Sequence, residues 1–504
     1  MKSRTQYSML NSSISSIVYL VRMLLGFVSR SFFIQCLGIQ YLGLNGLFSN
    51  VLSFLSLAEL GIGTSIVFEM YRPVATRDRE TIKSLMQFYR RAYTVIGVCI
   101  AILGIMLVPF LHLFLNDASR IPFVYMYYIL FLTNSVVSYF FTYKRSMLNA
   151  DQKNYLVILN DFIFFVVMTV LQILVLVFMK SYTLFLIFQI VTTLVSNLAI
   201  SLIVNRKYPF LKDKNVKTLS PEITRHMRKN VVGNISSQIG SIVVLGSDNI
   251  LISSFVGIAA VGIYSNYTLI TNAIRSLMQQ ATSAVISSVG NLVVKANNSM
   301  TLSVFKSYLF INTFISFFAA TGIAMFINNF IRIWVGRQFL LSNLTVFLIS
   351  LYVMLLMYQG SVRTFISAYG LFWQQRWKPL FEAGVNLFFS LLFLVVFRLG
   401  IDGVLLGTIV SSLLVNIWFE PYLVFHFGIH DGSAAYALFT IKTFLKFLAV
   451  SFFVFWIQHF FVVRDIWDFV FFGCIMLPVL LIIMAICFGT SPEVKKLWLR
   501  FSRK

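Results

Sequence analysis

Two arginines, Arg22 and Arg30, stand in one apolar segment near the amino terminus, "YLVRMLLGFVSRSFF" (19–33). Gly26 lies midway between them, and spacings of four and eight residues put all three on roughly one face of a helix. A guanidinium keeps its charge at every physiological pH, and its planar fork matches the oxygens of a phosphate. These residues therefore predict the binding of an anionic phosphate group beside an otherwise apolar helix.

Ionisable residues also interrupt several other apolar segments. Each costs about 2.5 kcal/mol or more at membrane depth, so these side chains should face water-filled space or one another. We predict that the cations bind an anionic substrate, and that the acids bind a coupling ion, H⁺ or Na⁺, or operate a gate. The cations are Arg22, Arg30, Arg275 and Arg363, and the acids are Glu59, Asp161 and Asp248.

The alternative is that these charges only form buried ion pairs. The pairs that the sequence suggests are Arg30–Asp248 and Glu59–Arg275. This pairing leaves Arg22 and Arg363 without an obvious partner, which favours a binding role for the arginines.

The composition places the whole chain in a membrane. It has 504 residues, of which 59% are hydrophobic and 11% charged, and its mean hydropathy is +0.85. Apolar runs of about 20 residues or more are typical of transmembrane helices rather than of β-barrel strands. We predict an all-α polytopic membrane protein with about 14 transmembrane helices. We expect no metal ion and no cofactor apart from a coupling ion.

The net charge of +23 has a simpler explanation than nucleic-acid binding. Basic residues concentrate in alternate loops, including Lys144 and Arg145 and the segment 206–230, and in the carboxyl-terminal tail. Such a bias marks the cytoplasmic face and predicts that both termini are cytoplasmic. The loops predicted on the other face are short, such as 116–120, and leave no external domain for catalysis.

A short motif occurs twice. "LGIQYLGL" (37–44) matches "VGIAAVGI" (256–263) at an offset of 219 residues. Each copy joins the first two predicted helices of one half, which predicts two six-helix bundles related by an axis along the membrane normal. The predicted parts are an N-terminal bundle (1–210), a basic cytoplasmic linker (211–229), a C-terminal bundle (230–430), an accessory helix pair (431–490) and a basic cytoplasmic tail (491–504).

The sequence resembles a known family over 29–85, which includes "LGIQYLGLNGLFSNVLSFLSLAELGIGTSIVFEMYRP", and again at "GSDNILISSFVGIAAVGIYSNYTLI" (246–270). These segments resemble bacterial polysaccharide-unit flippases of the Wzx type, in the multidrug/oligosaccharidyl-lipid/polysaccharide (MOP) exporter superfamily. The resemblance implies a V-shaped pair of bundles in the bacterial cytoplasmic membrane, alternating between inward- and outward-facing states.

The implied substrate is an oligosaccharide linked to undecaprenyl diphosphate, destined for O-antigen, capsule or exopolysaccharide. In relatives, arginines on the first and eighth helices are thought to hold the diphosphate, and Arg22, Arg30 and Arg275 match these locations. Arg363 is added here because of its depth alone. The implied partners are this lipid-linked substrate, membrane lipid, and a polysaccharide polymerase with its chain-length machinery.

Three other functions compete with this interpretation. A MATE-like exporter of cationic small molecules would favour acidic rather than basic residues in its binding site. An integral-membrane glycan polymerase or ligase would need a large outer loop with catalytic charges. A passive scaffold would not require arginines at matched depths. We therefore predict a transporter and not an enzyme.

One further segment, "LFWQQRWKP" (371–379), is both aromatic and basic. Tryptophan and arginine together are typical of the membrane–water interface. The segment is predicted to belong to an interfacial belt or to meet lipid headgroups.

Overall fold

The computed structural model describes residues 4–59, 62–115, 121–213, 219, 224–225, 239–240, 243–244, 246–295 and 298–491. This part of the chain is helical, without any strand, and eleven of its helices are long and apolar enough to cross a membrane. The all-α membrane fold is confirmed. The number of 14 spans stays a prediction, because most of 214–245 lies outside the described residues.

The chain divides into two compact units, Met1–Gly262 and Ile263–Lys504. The predicted boundaries of the bundles and the accessory pair stay predictions, and most of the linker and nearly all of the tail fall outside the described residues. In the first unit the helices are α1 (Arg4–Leu37), α2 (Ile39–Leu55), α3 (Ile62–Thr76), α4 (Arg79–Leu107), α5 (Val124–Ala150), α6 (Asn154–Met179) and α7 (Tyr182–Lys207).

The remaining helices carry the rest of the predicted site. They are α8 (Ile258–Lys295), which begins in the first unit, α9 (Asn298–Trp334), α10 (Asn343–Tyr358), α11 (Gly360–Tyr369), α12 (Lys378–Leu391), α13 (Ile401–Ser411), α14 (Ile417–Val424), α15 (Ser433–Gln458) and α16 (Ile466–Phe488).

The sequence predicts the second span as one helix over 41–70, but this segment is broken. Helix α2 ends at Leu55, a 3₁₀ turn covers Ser56–Glu59, and α3 begins at Ile62. Gly63 leaves room here for tyrosine side chains, since a Cβ at this residue would overlap with the hydroxyl of Tyr93. The break therefore brings the carboxylate of Glu59 to the surface of α4.

The two copies of the repeated motif contact each other reciprocally. The backbone of Gly43 lies against the carbonyl group of Ile258, and that of Gly262 lies against the carbonyl group of Ile39. An offset of 219 residues superimposes Gly43 on Gly262 and Ile39 on Ile258. A reciprocal contact between equivalent residues is what a local twofold relation produces.

The helices around Glu420 are irregular. Three π-helical turns occur in this region, and α10 and α11 meet at Gln359 rather than continuing as one helix. π-Turns are rare and often mark functional sites. The three turns are Leu392–Val396, Ser412–Asn416 and Phe425–Ile429.

Candidate functional site

Asp161 lies in an ion pair that joins three helices of the first unit. Nη1 of Arg145, on α5, lies 2.6 Å from each carboxylate oxygen of Asp161 on α6. Asn197, on α7, accepts hydrogen bonds from Nε and Nη2 of the same guanidinium at 3.2 and 2.9 Å. The carboxylate is thus neutralised by a cation whose donors are largely committed.

Arg22 adds a second guanidinium beside this pair. Its Cζ lies 5.1 Å from the ring centroid of Phe165, and it is within electrostatic range of both Asp161 and Arg145. The buried Nε of Arg22 makes no hydrogen bond to the described residues. Two guanidinium groups therefore share one carboxylate, and the cluster keeps a net positive charge.

Lys144 precedes Arg145 on α5 and also reaches α7. Its ammonium group donates a hydrogen bond to Ser201 Oγ and another, of 3.1 Å, to Asn205 Oδ1. Both of these hydrogen bonds go to neutral side chains on α7, and they hold the ammonium group beside the Arg145–Asp161 pair.

Arg30 lies two turns beyond Arg22 on α1 and is half-buried. The predicted Arg30–Asp248 pair is not among the ion pairs of the described residues. Instead, the buried Oδ1 of Asp248 has no hydrogen-bond partner in the described part of the chain. An isolated carboxylate is costly in such surroundings, so this side chain is suited to carry a proton or to hold a cation.

Glu59 ends a chain of hydroxyl groups. Its Oε1 accepts a hydrogen bond from Tyr93, whose hydroxyl is hydrogen-bonded to that of Tyr89. Ser146 donates to the hydroxyl of Tyr89 at 3.0 Å. Where side chains are described, no basic group forms an ion pair with Glu59. The carboxyl group is therefore placed to exchange a proton with tyrosine hydroxyls.

Arg363 has a partner that the sequence pattern does not suggest. Its Nε lies 3.0 and 3.2 Å from the two carboxylate oxygens of Glu420, and its Nη2 donates to Gln359 Oε1 at 2.6 Å. The Glu420 side chain is 2% exposed, whereas that of Arg363 is 39% exposed. Glu420 and Gln359 therefore fix one edge of an accessible guanidinium.

The same carboxylate also holds a lysine. Nζ of Lys378 lies 2.7 Å from Glu420 and 2.9 Å from Glu382, and Asn416 donates to Glu382 at 2.5 Å. Two cations and two acids balance in this cluster. It differs from the cluster around Arg22, where the cations are in excess.

Arg275 lies on α8 and is half-buried. Its buried Nε has no hydrogen-bond partner among the described residues. Arg22 and Arg275 thus share the same feature, which is a buried donor without an acceptor. Such a group is costly unless a ligand or water satisfies it.

Sequence reasoning missed three charged members of these clusters. The charge pattern places Arg145 in a cytoplasmic loop, but this residue lies within α5. The segment 371–379 predicts an interfacial Lys378, but its ammonium group is paired with Glu420. Glu420 was not singled out, although it is a lone acid in the apolar run "NIWFEPYLVF". A single acidic residue within an apolar run is the signal that could have identified Glu420, because a carboxylate inside the membrane needs a cation nearby.

The fold has well-matched relatives among solved structures. The lipid II flippase MurJ in an inward closed conformation superimposes with a TM-score of 0.68 at 14% identity, covering 94% of this chain and 98% of that one. A multidrug resistance MATE family transporter in an inward-facing conformation superimposes with a TM-score of 0.61 at 16% identity, covering 86% of this chain and 98% of that one. A MOP superfamily transporter from Pyrococcus furiosus superimposes with a TM-score of 0.53 at 16% identity, covering 89% of this chain and 97% of that one.

These structures define the class of the protein, which has the fold of the MOP superfamily transporters. The model of the polysaccharide biosynthesis protein family matches residues 8–287, more than half of the chain. The chain belongs to this family, and the resemblance noted in 29–85 is confirmed. No curated protein matches the chain at a significant level of sequence similarity.

Proposed function

We propose that the protein flips oligosaccharide units linked to undecaprenyl diphosphate across the bacterial cytoplasmic membrane by alternating access. Membership of the polysaccharide biosynthesis family and the fold shared with a lipid II flippase support a lipid-linked substrate. The units would serve O-antigen, capsule or exopolysaccharide synthesis, with both termini in the cytoplasm.

The observation that carries the proposal is that these arginines have hydrogen-bond donors available for a ligand. Arg22 and Arg275 each keep a buried donor without an acceptor in the described chain, and Arg363 presents an accessible guanidinium. In the proposed cycle these groups and Arg30 neutralise the diphosphate. Arginine suits this task because two of its N–H groups can bind two phosphate oxygens at once.

The acids provide the coupling in this proposal. Asp248 and Glu59 bind the coupling ion, H⁺ or Na⁺, because neither is neutralised by a cation among the described residues. Asp161 acts differently, as a gate whose ion pair with Arg145 changes during the cycle. An ion drives transport only if it binds the two states with different affinity.

The test replaces Arg22, Arg30, Arg275 and Arg363 singly by alanine and by lysine in the native host lacking its own copy. We expect each alanine variant to reach normal membrane levels, to reduce surface polysaccharide and to accumulate lipid-linked units on the cytoplasmic side. The matched control is Arg398→Ala, because Arg398 is exposed in the loop after α12.

The lysine variants separate charge from geometry. Partial recovery indicates that charge is sufficient, and failure indicates that the planar fork is needed. Normal export by all four alanine variants would refute the proposed site. Export of cationic drugs instead of glycan would favour a MATE-like function.

A further inference from the structure

The turn 370–377 between α11 and α12 has a fixed conformation. Gly370 adopts φ 67°, and the amide of Leu371 donates to the carbonyl of Ile366 at 3.0 Å. Leu371 is 5% exposed and packs into the hydrophobic core of the second unit. Leu371 therefore anchors the turn to the hydrophobic core, and this contact fixes the backbone that carries the side chains after Leu371.

Those side chains are large, apolar and exposed. Phe372 is 59% exposed, Trp373 68% and Trp377 66%. Phe381, on the first turn of α12, is 65% exposed and continues the patch. Indole rings with this exposure at the end of a membrane helix are typical of the layer where lipid headgroups meet acyl chains.

Arg376 is held in place within this aromatic patch. Its Cζ lies 4.0 Å from the ring centroid of Trp373, and its Nη1 donates to the carbonyl oxygen of Trp373 at 2.8 Å. Its Nε and Nη2 make no hydrogen bond to the described residues. Stacking on an indole fixes the plane of the guanidinium and leaves two parallel donors for an anion.

The neighbouring charges favour an anionic ligand. The stretch 370–377 contains no acidic residue. Lys378, the next cation, is 8% exposed and is committed to Glu420 and Glu382, so it does not compete for a ligand. The turn thus presents one oriented guanidinium inside a ring of exposed aromatic side chains.

We propose that this turn is a binding site for an anionic glycerophospholipid of the surrounding membrane. Arg376 binds the phosphodiester, and Phe372, Trp373 and Trp377 pack against the glycerol and the upper part of the acyl chains. The aromatic exposure argues for a lipid rather than a soluble phosphate, and the positive charge argues for an anionic headgroup. This site uses none of the arginines proposed to hold the substrate, and its test does not depend on transport.

The test uses the purified full-length chain in detergent, titrated with phosphatidylglycerol or phosphatidylcholine and observed by native mass spectrometry. We expect the wild type to prefer phosphatidylglycerol by about tenfold, because both lipids offer a phosphodiester to Arg376 but the choline ammonium of phosphatidylcholine compensates that charge and repels the guanidinium. Arg376→Gln should lose this preference. Arg398→Gln, which removes an exposed arginine at the opposite end of α12, should keep it.

A second variant protects the test against a local folding effect. Gln374→Glu places an acid on an exposed residue of the same turn without removing the contact between Arg376 and Trp373, and should also lose the preference. Wild-type preference in both Arg376→Gln and Gln374→Glu would overturn the proposal. Equal binding of the two lipids by the wild type would overturn it as well, whereas either result leaves the flippase proposal unaffected.

Discussion

The backbone of Gly43 lies so close to the carbonyl group of Ile258 that a side-chain carbon at residue 43 would overlap with the carbonyl oxygen. The equivalent residues, Gly262 and Ile39, are in the same relation. The contact therefore depends on glycine at both equivalent positions. It also explains in physical terms why the motif occurs twice.

A methyl group should not be tolerated at this contact. We expect Gly43→Ala to lower the free energy of unfolding by about 1–3 kcal/mol, because the obstructing atom belongs to the backbone and cannot rotate away. Thermal unfolding in detergent and surface polysaccharide in the host both measure the effect. Gly322→Ala is the control, since no atom lies within 4 Å of a Cβ at that helical residue. Equal stability of the two variants would contradict the contact.

Replacing Glu420 should lower the stability of the protein more than replacing Arg363. Glu420→Gln leaves Arg363 without an acid and Lys378 with Glu382 alone, and should destabilise the protein by about 1–3 kcal/mol. Arg363→Ala leaves Glu420 paired with Lys378, so its melting temperature should fall much less while export is lost. If Arg363→Ala is instead the less stable variant and a stabilising lipid restores its export, Arg363 has only a structural role.

The Arg145–Asp161 pair should behave as a coupled unit. Both side chains are partly exposed, at 22% and 31%, so breaking the pair should cost only about 1–2 kcal/mol. A double-mutant cycle with Arg145→Gln and Asp161→Asn measures the coupling by thermal unfolding. Additive effects of the two single variants would show that the pair makes no net contribution.

Asp248 should act in coupling rather than in folding. Asp248→Asn resembles the protonated acid in shape and charge, so the variant should keep the wild-type melting temperature. Transport of a lipid-linked substrate in proteoliposomes should depend on a proton or sodium gradient in the wild type and lose this dependence in the variant. A gradient dependence that survives the substitution would remove Asp248 from the coupling site.

The sequence predicts the helices well because the length of an apolar run and the glycines that interrupt it are local properties of the chain. The break after Leu55 is harder to predict. Gly61 and Gly63 indicate a weak helix, but they do not reveal the tyrosine hydroxyl that occupies the space beside Gly63. The pairs Arg145–Asp161 and Arg363–Glu420 join residues 16 and 57 positions apart, on different helices. Such pairing depends on helix packing, which periodicity alone does not determine.

The central claim is that the arginines bind the diphosphate of a polyprenyl lipid, and equilibrium binding to the purified protein tests it most directly. Undecaprenyl diphosphate should bind the wild type and Arg398→Gln alike, with an affinity that falls as salt increases. Arg22→Gln and Arg275→Gln should each weaken binding by about tenfold or more, because each removes a charge-assisted contact. Wild-type affinity in both variants, or equal binding of undecaprenol, which lacks the diphosphate, would contradict the claim.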